Sequence, residues 1–367
     1  MTIVLTGTFY TDNWIATHLE PLARSSRVAK VIMVASTRVP DIAKVEARYP
    51  SDRMRRVLGG TLARQVEFVR VVFSERPDIA GGFHLLMNGM LAQWAAMRTG
   101  ARSLYICGGG VREVEGGGYL TENRIFRQLG KPSAFVERRL LATVRDIDYV
   151  ITMGTSVKQY FEGAGARGDV AVIPGGFAHD AFSPRNESDG AEFDLVAVSR
   201  LSGVKRLELL IKAVHELRES GLDTTAAIVG DGPLMADLRR QAEDLGIADA
   251  IVFVGWSDDV VSWLRRARVY TLTSESEGLS QSMIQAMLCG LPAVVSDVGD
   301  LKDVVRNGEN GYLIGALDSA LFAEAYRRLL TDATLLSTFG QQARSSALQL
   351  NVENTAKKWN ELLRERR

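Results

Sequence analysis

The sequence predicts an α/β protein built from two doubly wound domains, and three observations carry that prediction. Short β-branched runs alternate with amphipathic stretches along the chain. Its 367 residues exceed one comfortable core at the usual ~100–200 residues per domain. A break in composition at 182–190, Phe-Ser-Pro-Arg-Asn-Glu-Ser-Asp-Gly, separates one series of alternations from the next.

In order, the strands predicted for the first half are 2–6, 31–35, 103–107, 149–153 and 170–173. Those for the second half are 194–198, 225–229, 251–254, 269–273 and 293–296. Between them lie helical patterns such as Leu207, Leu210, Ile211, Val214 and Leu217, which put one apolar face on a sheet. The domains are therefore set at 1–182 and 193–350, joined by a linker at 183–192, with a helical segment at 351–367 placed to cross back to the first domain.

Composition narrows the function classes. Hydrophobic residues make up 46% and charged residues 24%, as in soluble globular proteins. The two cysteines, Cys107 and Cys289, are far apart and match no metal-ligand spacing, which points to a reduced, cytoplasmic protein. The N-terminus runs straight into a strand, and no uncharged apolar run approaches the ~18 residues needed to span a bilayer.

The formal charge is zero but unevenly divided. Residues 1–182 hold 23 Lys and Arg against 17 Asp and Glu, and 183–367 hold 21 against 27. Two basic stretches read as helices: one with Arg48, Arg53, Arg55, Arg56 and Arg64, the other with Arg124, Arg127, Lys131, Arg138, Arg139 and Arg145. They make either a solvated helix face or a docking face for anionic lipid at the inner face of a membrane. No nucleic-acid motif accompanies them, and the pI is near 6.9.

Chemistry concentrates between Ser274 and Asp297. The strand at 269–273 leads into a loop with Glu275, Glu277 and Gly278, then a helix capped by Ser280 and ended at Gly290, with Pro292 beyond. Free amides and the positive end of a helix dipole suit a phosphate, and Glu277 suits sugar hydroxyls. After the first strand of the second domain, Val198-Ser-Arg-Leu-Ser-Gly-Val-Lys-Arg206 supplies Arg200 and Lys205, two cations of the kind a diphosphate leaving group needs. In the first domain, Gly108–Gly110 and Gly116–Gly118 bracket a loop at the carboxyl end of a strand, where such sheets bind ligands.

These pieces, in this order, resemble the retaining glycosyltransferases of family 4, which have the GT-B fold of two Rossmann-like domains facing across a cleft. The resemblance covers Ser199-Arg-Leu with Lys205, Val229-Gly-Asp-Gly-Pro-Leu234, Phe253-Val-Gly255, Glu277-Gly-Leu, and Ala286-Met with Gly290-Leu-Pro-Ala-Val-Val. In the first domain it is thinner: Gly7, Pro77-Asp-Ile with His84 and Gly89, and Ile173-Pro-Gly-Gly with Phe182.

The resemblance implies catalytic roles for Arg200 and Lys205 on the donor diphosphate and for Glu277 on the donor sugar. It implies that Gly278, Leu279 and Ser280 hold sugar and phosphate through their amides, that Gly7 lets the first-domain loop approach the donor, and that Trp256 and Ser257 lie at the base. For Trp256, a partly buried aromatic after a strand is the alternative. The donor is a nucleotide-diphosphate sugar, UDP or GDP, and neither a metal nor another cofactor is required.

Three departures stand out. The family's Glu-x7-Glu has Gln285 in the second position, where a side-chain carbonyl still accepts from ribose hydroxyls. Gln281, one turn earlier, shares its face. A His-Gly of many members is Cys107-Gly108 here, so Cys107 offers no general base. Retaining chemistry of this family is thought to hand the acceptor proton to the leaving phosphate. The usual Asp after Pro-Asn-Gly-Val is Ala178 here, a structural variation.

On the acceptor side the candidates are His84, Cys107 and Gly108, with His84 either contacting an acceptor or serving as a structural histidine. Asp146-Ile-Asp148 mimics the metal-binding Asp-x-Asp of another glycosyltransferase fold and is expected to cap the strand that follows. Glu275 has no assigned role. The expectation is a retaining glycosyltransferase acting on a glycan, lipid-linked or small-molecule acceptor, with an anionic membrane surface as a further partner and no nucleic acid. Its alternatives are a hydrolysing nucleotide-sugar epimerase on the same fold and a catalytically impaired nucleotide-sugar-binding subunit.

Overall fold

The computed structural model describes residues 1–8, 11–119, 131–185 and 190–364. They form two compact units, one of Met1–Phe177 with Leu350–Arg367 and one of Ala178–Gln349. The first unit thus ends at Phe177, ahead of the composition break at 182. Phe177 donates its amide to Leu350 O at 2.8 Å, which binds the end of unit 1 to the returning chain. Of the linker, 186–189 lie outside the described residues, as do Arg124 and Arg127.

Unit 1 contains β1 (Thr2–Thr6), α1 (Asp12–Arg24), β2 (Lys30–Val34), β3 (Val45–Arg48), α2 (Asp52–Glu75), β4 (Ile79–Phe83), α3 (Met90–Thr99), β5 (Arg102–Cys107), α4 (Ala134–Arg145), β6 (Tyr149–Thr152), α5 (Thr155–Gly163) and β7 (Asp169–Val172). Its strands are parallel, in the order β3-β2-β1-β4-β5-β6-β7. The order reverses between β1 and β4. At such a switch point the connections leave toward opposite faces and open a crevice at the carboxyl ends of the strands.

Unit 2 contains β8 (Phe193–Val198), α6 (Leu207–Glu219), β9 (Ala226–Val229), α7 (Met235–Asp244), β10 (Ile251–Gly255), α8 (Val260–Arg265), β11 (Ala267–Leu272), α9 (Gln281–Leu288), β12 (Ala293–Ser296), β13 (Gly311–Ile314), α10 (Ser319–Thr331) and α11 (Ala333–Ala347). The order β10-β9-β8-β11-β12-β13 is again parallel and reverses between β8 and β11. The apolar stripe of α6 is buried with Leu195, Val269 and Phe322. Each such side chain, fully buried, contributes roughly 1.5–3 kcal/mol.

The last helix, α12 (Val352–Leu362), belongs to unit 1 and packs on α1. Asn360 Oδ1 accepts from Ser25 Oγ at 2.8 Å and from the Ser26 amide at 2.9 Å, and Thr355 Oγ1 donates to Gly175 O at 2.7 Å. Both units have Rossmann-like topology.

Three strands escape the pattern of β-branched runs. β3 is an edge strand of Val-Glu-Ala-Arg, so Arg48 stands on a strand and not on a helix. β13 is short and opens with glycine. β4 reads Ile-Ala-Gly-Gly-Phe, and its glycines are steric necessities: a Cβ at Gly81 would lie 2.7 Å from Leu5 Cδ2, and one at Gly82 would lie 2.5 Å from the Asn88 carbonyl carbon.

Candidate active site

The residues expected to carry the chemistry of unit 2 come together at its switch point. Arg200 and Lys205 follow β8, and Glu277 follows β11, the strand paired with β8. The two loops are joined by two hydrogen bonds, one main chain and one from a side chain: the Glu275 amide donates to Val204 O at 2.8 Å, and Thr273 Oγ1 donates to Lys205 O at 2.8 Å. On this base Lys205 Nζ reaches Glu277 Oε1 at 2.5 Å, both side chains being largely shielded from solvent. Arg200 is exposed at the same strand end, and so is the Glu275 carboxylate.

Ser280 is the N-cap of α9, its Oγ accepting from Met283 N at 3.3 Å. The amides of Gln281 and Ser282 open the helix and have no intrahelical acceptor, leaving donors beside the positive helix end. Ser282 Oγ donates to Val198 O at 2.9 Å and meets Tyr270 Oη at 2.8 Å, which pins the start of α9 to the ends of β8 and β11. Gly278, Leu279 and Ser280 therefore sit next to Glu277 at a fixed helix entrance.

Closely packed glycines brace this arrangement. Gly230, with φ +132°, packs so closely that a Cβ would lie 1.9 Å from Ser199 O, and a Cβ at Gly232 would lie 2.3 Å from Leu201 O. The Gly-Asp-Gly turn thus supports the Arg200 loop, and Leu201 N donates to Asp231 O at 3.0 Å. Gly299, with φ +59°, does the same for the acidic loop, since a Cβ there would lie 2.0 Å from Glu277 O. Gly299 was not among the expected site residues, because its role depends on a contact between loops far apart in sequence.

Two of the remaining donor-side candidates lie elsewhere. Trp256 and Ser257 follow β10, at the sheet edge and two strands from β8. Trp256 is 65% exposed, so the expected alternative of a partly buried aromatic does not hold. Its Nε1 donates to Asp258 Oδ1 at 3.1 Å. Gln285 is 7% exposed, within α9.

In unit 1, Gly7 leaves β1 and His84 leaves β4, again at the switch point. His84 adopts φ +63°, unusual outside glycine. Its Nδ1 lies 2.8 Å from Glu113 Oε1. Glu113 is buried and also accepts from Gly109 N at 2.6 Å, Leu85 N at 2.9 Å and Tyr105 Oη at 2.8 Å. Burial opposes ionisation of both partners, yet the attraction and hydrogen bond between them prevail, raising His84 above the usual imidazole value and lowering Glu113 below the usual carboxyl one. Gly108 lies against this pair: a Cβ there would sit 3.4 Å from His84 Cε1 and 3.1 Å from the Trp14 ring.

Glu113 was missed because only its setting, a loop between glycine triplets, is visible in sequence. Cys107 must be withdrawn as an acceptor-side residue. It is fully buried in the core beside Tyr105 and Val114, its Sγ within 3.3 Å of Gly110 O. Arg64 also departs from expectation. It is 2% exposed, under the sheet end, and not part of a solvated or lipid-facing row.

Asp148 serves structure, its Oδ2 accepting from the amide and hydroxyl of Ser103, each at 2.7 Å. Asp146 pairs with Arg167 at 3.2 Å. Among the described residues no group of three or more His, Cys, Asp or Glu could hold a metal. No helix among them is long and apolar enough to cross a membrane.

Residues 179–346, nearly all of unit 2, match the family described as Glycosyl transferases group 1. N-acetyl-alpha-D-glucosaminyl L-malate synthase from Bacillus anthracis is 30% identical over 155 residues, which is 42% of this chain and 40% of the relative. D-inositol 3-phosphate glycosyltransferase from Acidothermus cellulolyticus is 31% identical over 222 residues, 55% of this chain and 49% of the relative. Both matches span at most about half the length of the relative. Among solved structures, Anabaena HepE in complex with UDP superposes with TM-score 0.75 over 99% of each chain at 20% identity. Sucrose-phosphate synthase from Thermosynechococcus elongatus gives 0.75 over 98% of each at 18% identity. Topology and superposition together give this chain the GT-B fold, and its second unit is the part that matches the glycosyl transferases group 1 model.

Proposed function

We propose that the chain is a retaining glycosyltransferase that moves a sugar from a nucleotide-diphosphate sugar bound by unit 2 to an acceptor hydroxyl bound by unit 1. The observation that carries this reading is the meeting of Arg200, Lys205, Glu277 and the entrance of α9 at the switch point of a unit that matches a glycosyltransferase family. Arg200 and Lys205 stabilise the charge that develops on the departing diphosphate, in a setting arranged before the donor arrives. Glu277, held by Lys205, faces the sugar hydroxyls, and the amides of Gly278, Leu279 and Ser280 complete the donor contacts. Trp256 and Ser257 lie at the nucleotide base. The leaving phosphate takes the acceptor proton, so no protein base is invoked.

UDP and GDP are the donor nucleotides this reading admits, UDP being the one present in the HepE structure. Calorimetric titration of the full chain with UDP, GDP and their sugars tests it: saturable binding is expected, lost on Arg200→Ala. Wild-type affinity and turnover in both Arg200→Ala and Lys205→Ala would sink the assignment.

Gln285 favours a second reading, a nucleotide-sugar-binding subunit with impaired turnover. Donor binding without transfer or donor hydrolysis, with turnover appearing in Gln285→Glu, would select it.

The acceptor is lipid-linked in the form of this reading that the surface of unit 1 supports. α2 opens with exposed Arg53, Arg55, Arg56 and Val57, and beyond the non-helical Gly59 it exposes Leu62, Val66 and Phe73. A basic start and an apolar stripe suit an anionic membrane surface. Sedimentation with anionic vesicles at low salt, reversed at high salt, is the expected behaviour.

A further inference from the structure

Two basic side chains, Arg64 and His84, stand at the switch point of unit 1, and among the described residues only His84 has a carboxylate partner. Thr6 ends β1 opposite Gly82 of β4, so His84 emerges beside the end of β1. Arg64 approaches the same place from α2, its Nη1 donating to Thr6 Oγ1 at 3.3 Å. That hydroxyl is itself committed as a donor to Val34 O at 3.2 Å. Among the described residues no carboxylate bonds to Arg64, although it is 2% exposed.

Glu113 does not neutralise Arg64. Its carboxylate is occupied by His84 Nδ1, the Gly109 and Leu85 amides and Tyr105 Oη. Glu113 is a positioning residue. It fixes the imidazole through Nδ1 and leaves Nε2 to meet a ligand, while Trp14 stacks on the ring at 6.2 Å and 16°. Gly108 adds no side chain at the Cε1 edge, where a Cβ would lie 3.4 Å away.

Burial lowers Arg64 to about 10, still charged at neutral pH, and its charge opposes protonation of His84. His18, the other imidazole nearby, is held neutral by burial. A buried guanidinium without an anion is costly, and an incoming anion would relieve both that cost and its repulsion with His84.

We propose that Arg64 and His84 bind an anionic group, phosphate or carboxylate, carried by the acceptor, so that the acceptor is a phosphorylated or carboxylated compound. The word acceptor rests on the glycosyltransferase reading above; the anion site does not. The same chemistry would fit a phosphate of the donor, and the test separates the two.

The full chain is labelled with 13Cε1-histidine; its four histidines leave His84 assignable through His84→Gln. Inorganic phosphate, titrated at constant ionic strength against chloride, is expected to move the His84 signal saturably. Saturation should weaken in Arg64→Lys and vanish in Arg64→Met. A linear drift, or equal saturation in Arg64→Met, overturns the site. If Arg64→Met does not fold, an unchanged phosphate Kd in Arg64→Lys overturns it instead.

The phosphate response is expected to persist when UDP or GDP saturates the protein. Its disappearance under nucleotide would assign the anion to the donor and overturn the acceptor class. Failure of the wild type to bind any nucleotide removes the glycosyltransferase reading, and with it the acceptor assignment, while the phosphate titration still decides the anion site.

Discussion

Lys205 and Glu277 meet at 2.5 Å, tying the loop after β8 to the loop after β11 where the strand order of unit 2 reverses. The pair spans 72 positions of sequence, so neither residue announces the other. Each holds the other in place, and both belong to the group proposed to act on the donor. Lys205→Ala is therefore expected to lower donor turnover by ~10²–10³, the usual loss for one preformed electrostatic contact. A double-mutant cycle with Glu277→Gln should show coupling of about 1 kcal/mol or more in nucleotide-sugar binding. Purely additive losses would mean that the pair does not act as a unit.

Gly299→Ala tests the brace behind Glu277. A Cβ there would stand 2.0 Å from Glu277 O, and φ +59° disfavours any side chain. The acidic loop must shift, whereas the sheet need not. We expect nucleotide-sugar affinity to fall at least tenfold with circular dichroism unchanged. Native affinity in a folded Gly299→Ala protein would show that the loop tolerates displacement.

Gln285→Glu asks what the departure from the family pattern does. Gln285 is 7% exposed and is the fifth of the eight residues of α9, beyond its first turn. Under the transferase reading, turnover in Gln285→Glu stays within about tenfold of wild type, since either side chain offers a carbonyl-type acceptor. A rise from undetectable turnover would instead identify the binding-subunit form. Single-turnover assays with the donor found by titration make the comparison.

The histidines of unit 1 give a pH signature of opposing signs. His18 is buried against Trp14 and Phe83, and burial lowers it to about 3. The unfolded chain thus binds the extra proton first, and stability falls as pH drops below 6.5. From pH 8 to pH 5 this costs about 2 kcal/mol, a change that His18→Gln should remove in urea unfolding. His84 is raised by Glu113, so its contribution is complete below 6.5 and lost as pH rises through its folded value. Glu113 is lowered, so its contribution is present above 4.5 and lost as pH falls through its folded value. The His84–Glu113 pair contributes most between 4.5 and 6.5, and removing His18 should reveal that window.

Ten strands of the two sheets could be placed from their β-branched runs to within a residue or two, and the Ser280 cap of α9 could be named outright. β3, β4 and β13 were not in that count, because edge position and glycines chosen for close packing erase the periodic signal. Arg64 shows the limit differently. Its neighbours in sequence are arginines on an exposed helix start, but the backbone at Gly59 takes φ +73° and breaks the helical rows. The side chain then enters the sheet end, where it donates to the Thr6 hydroxyl and, among the described residues, to no carboxylate.

By itself the sequence determined the alternation of strands and helices, the two-unit division and which residues the loops after β8 and β11 carry, all of which are local patterns of polarity, capping and turn residues. Tertiary structure alone decided which loops meet: Lys205 with Glu277, Gly299 behind Glu277, and Glu113 under His84. It also decided that Cys107 is core and Arg64 is buried. The physical reason is strand order. Both units reverse it once, and residues that no local pattern connects are brought to the ends of adjacent strands.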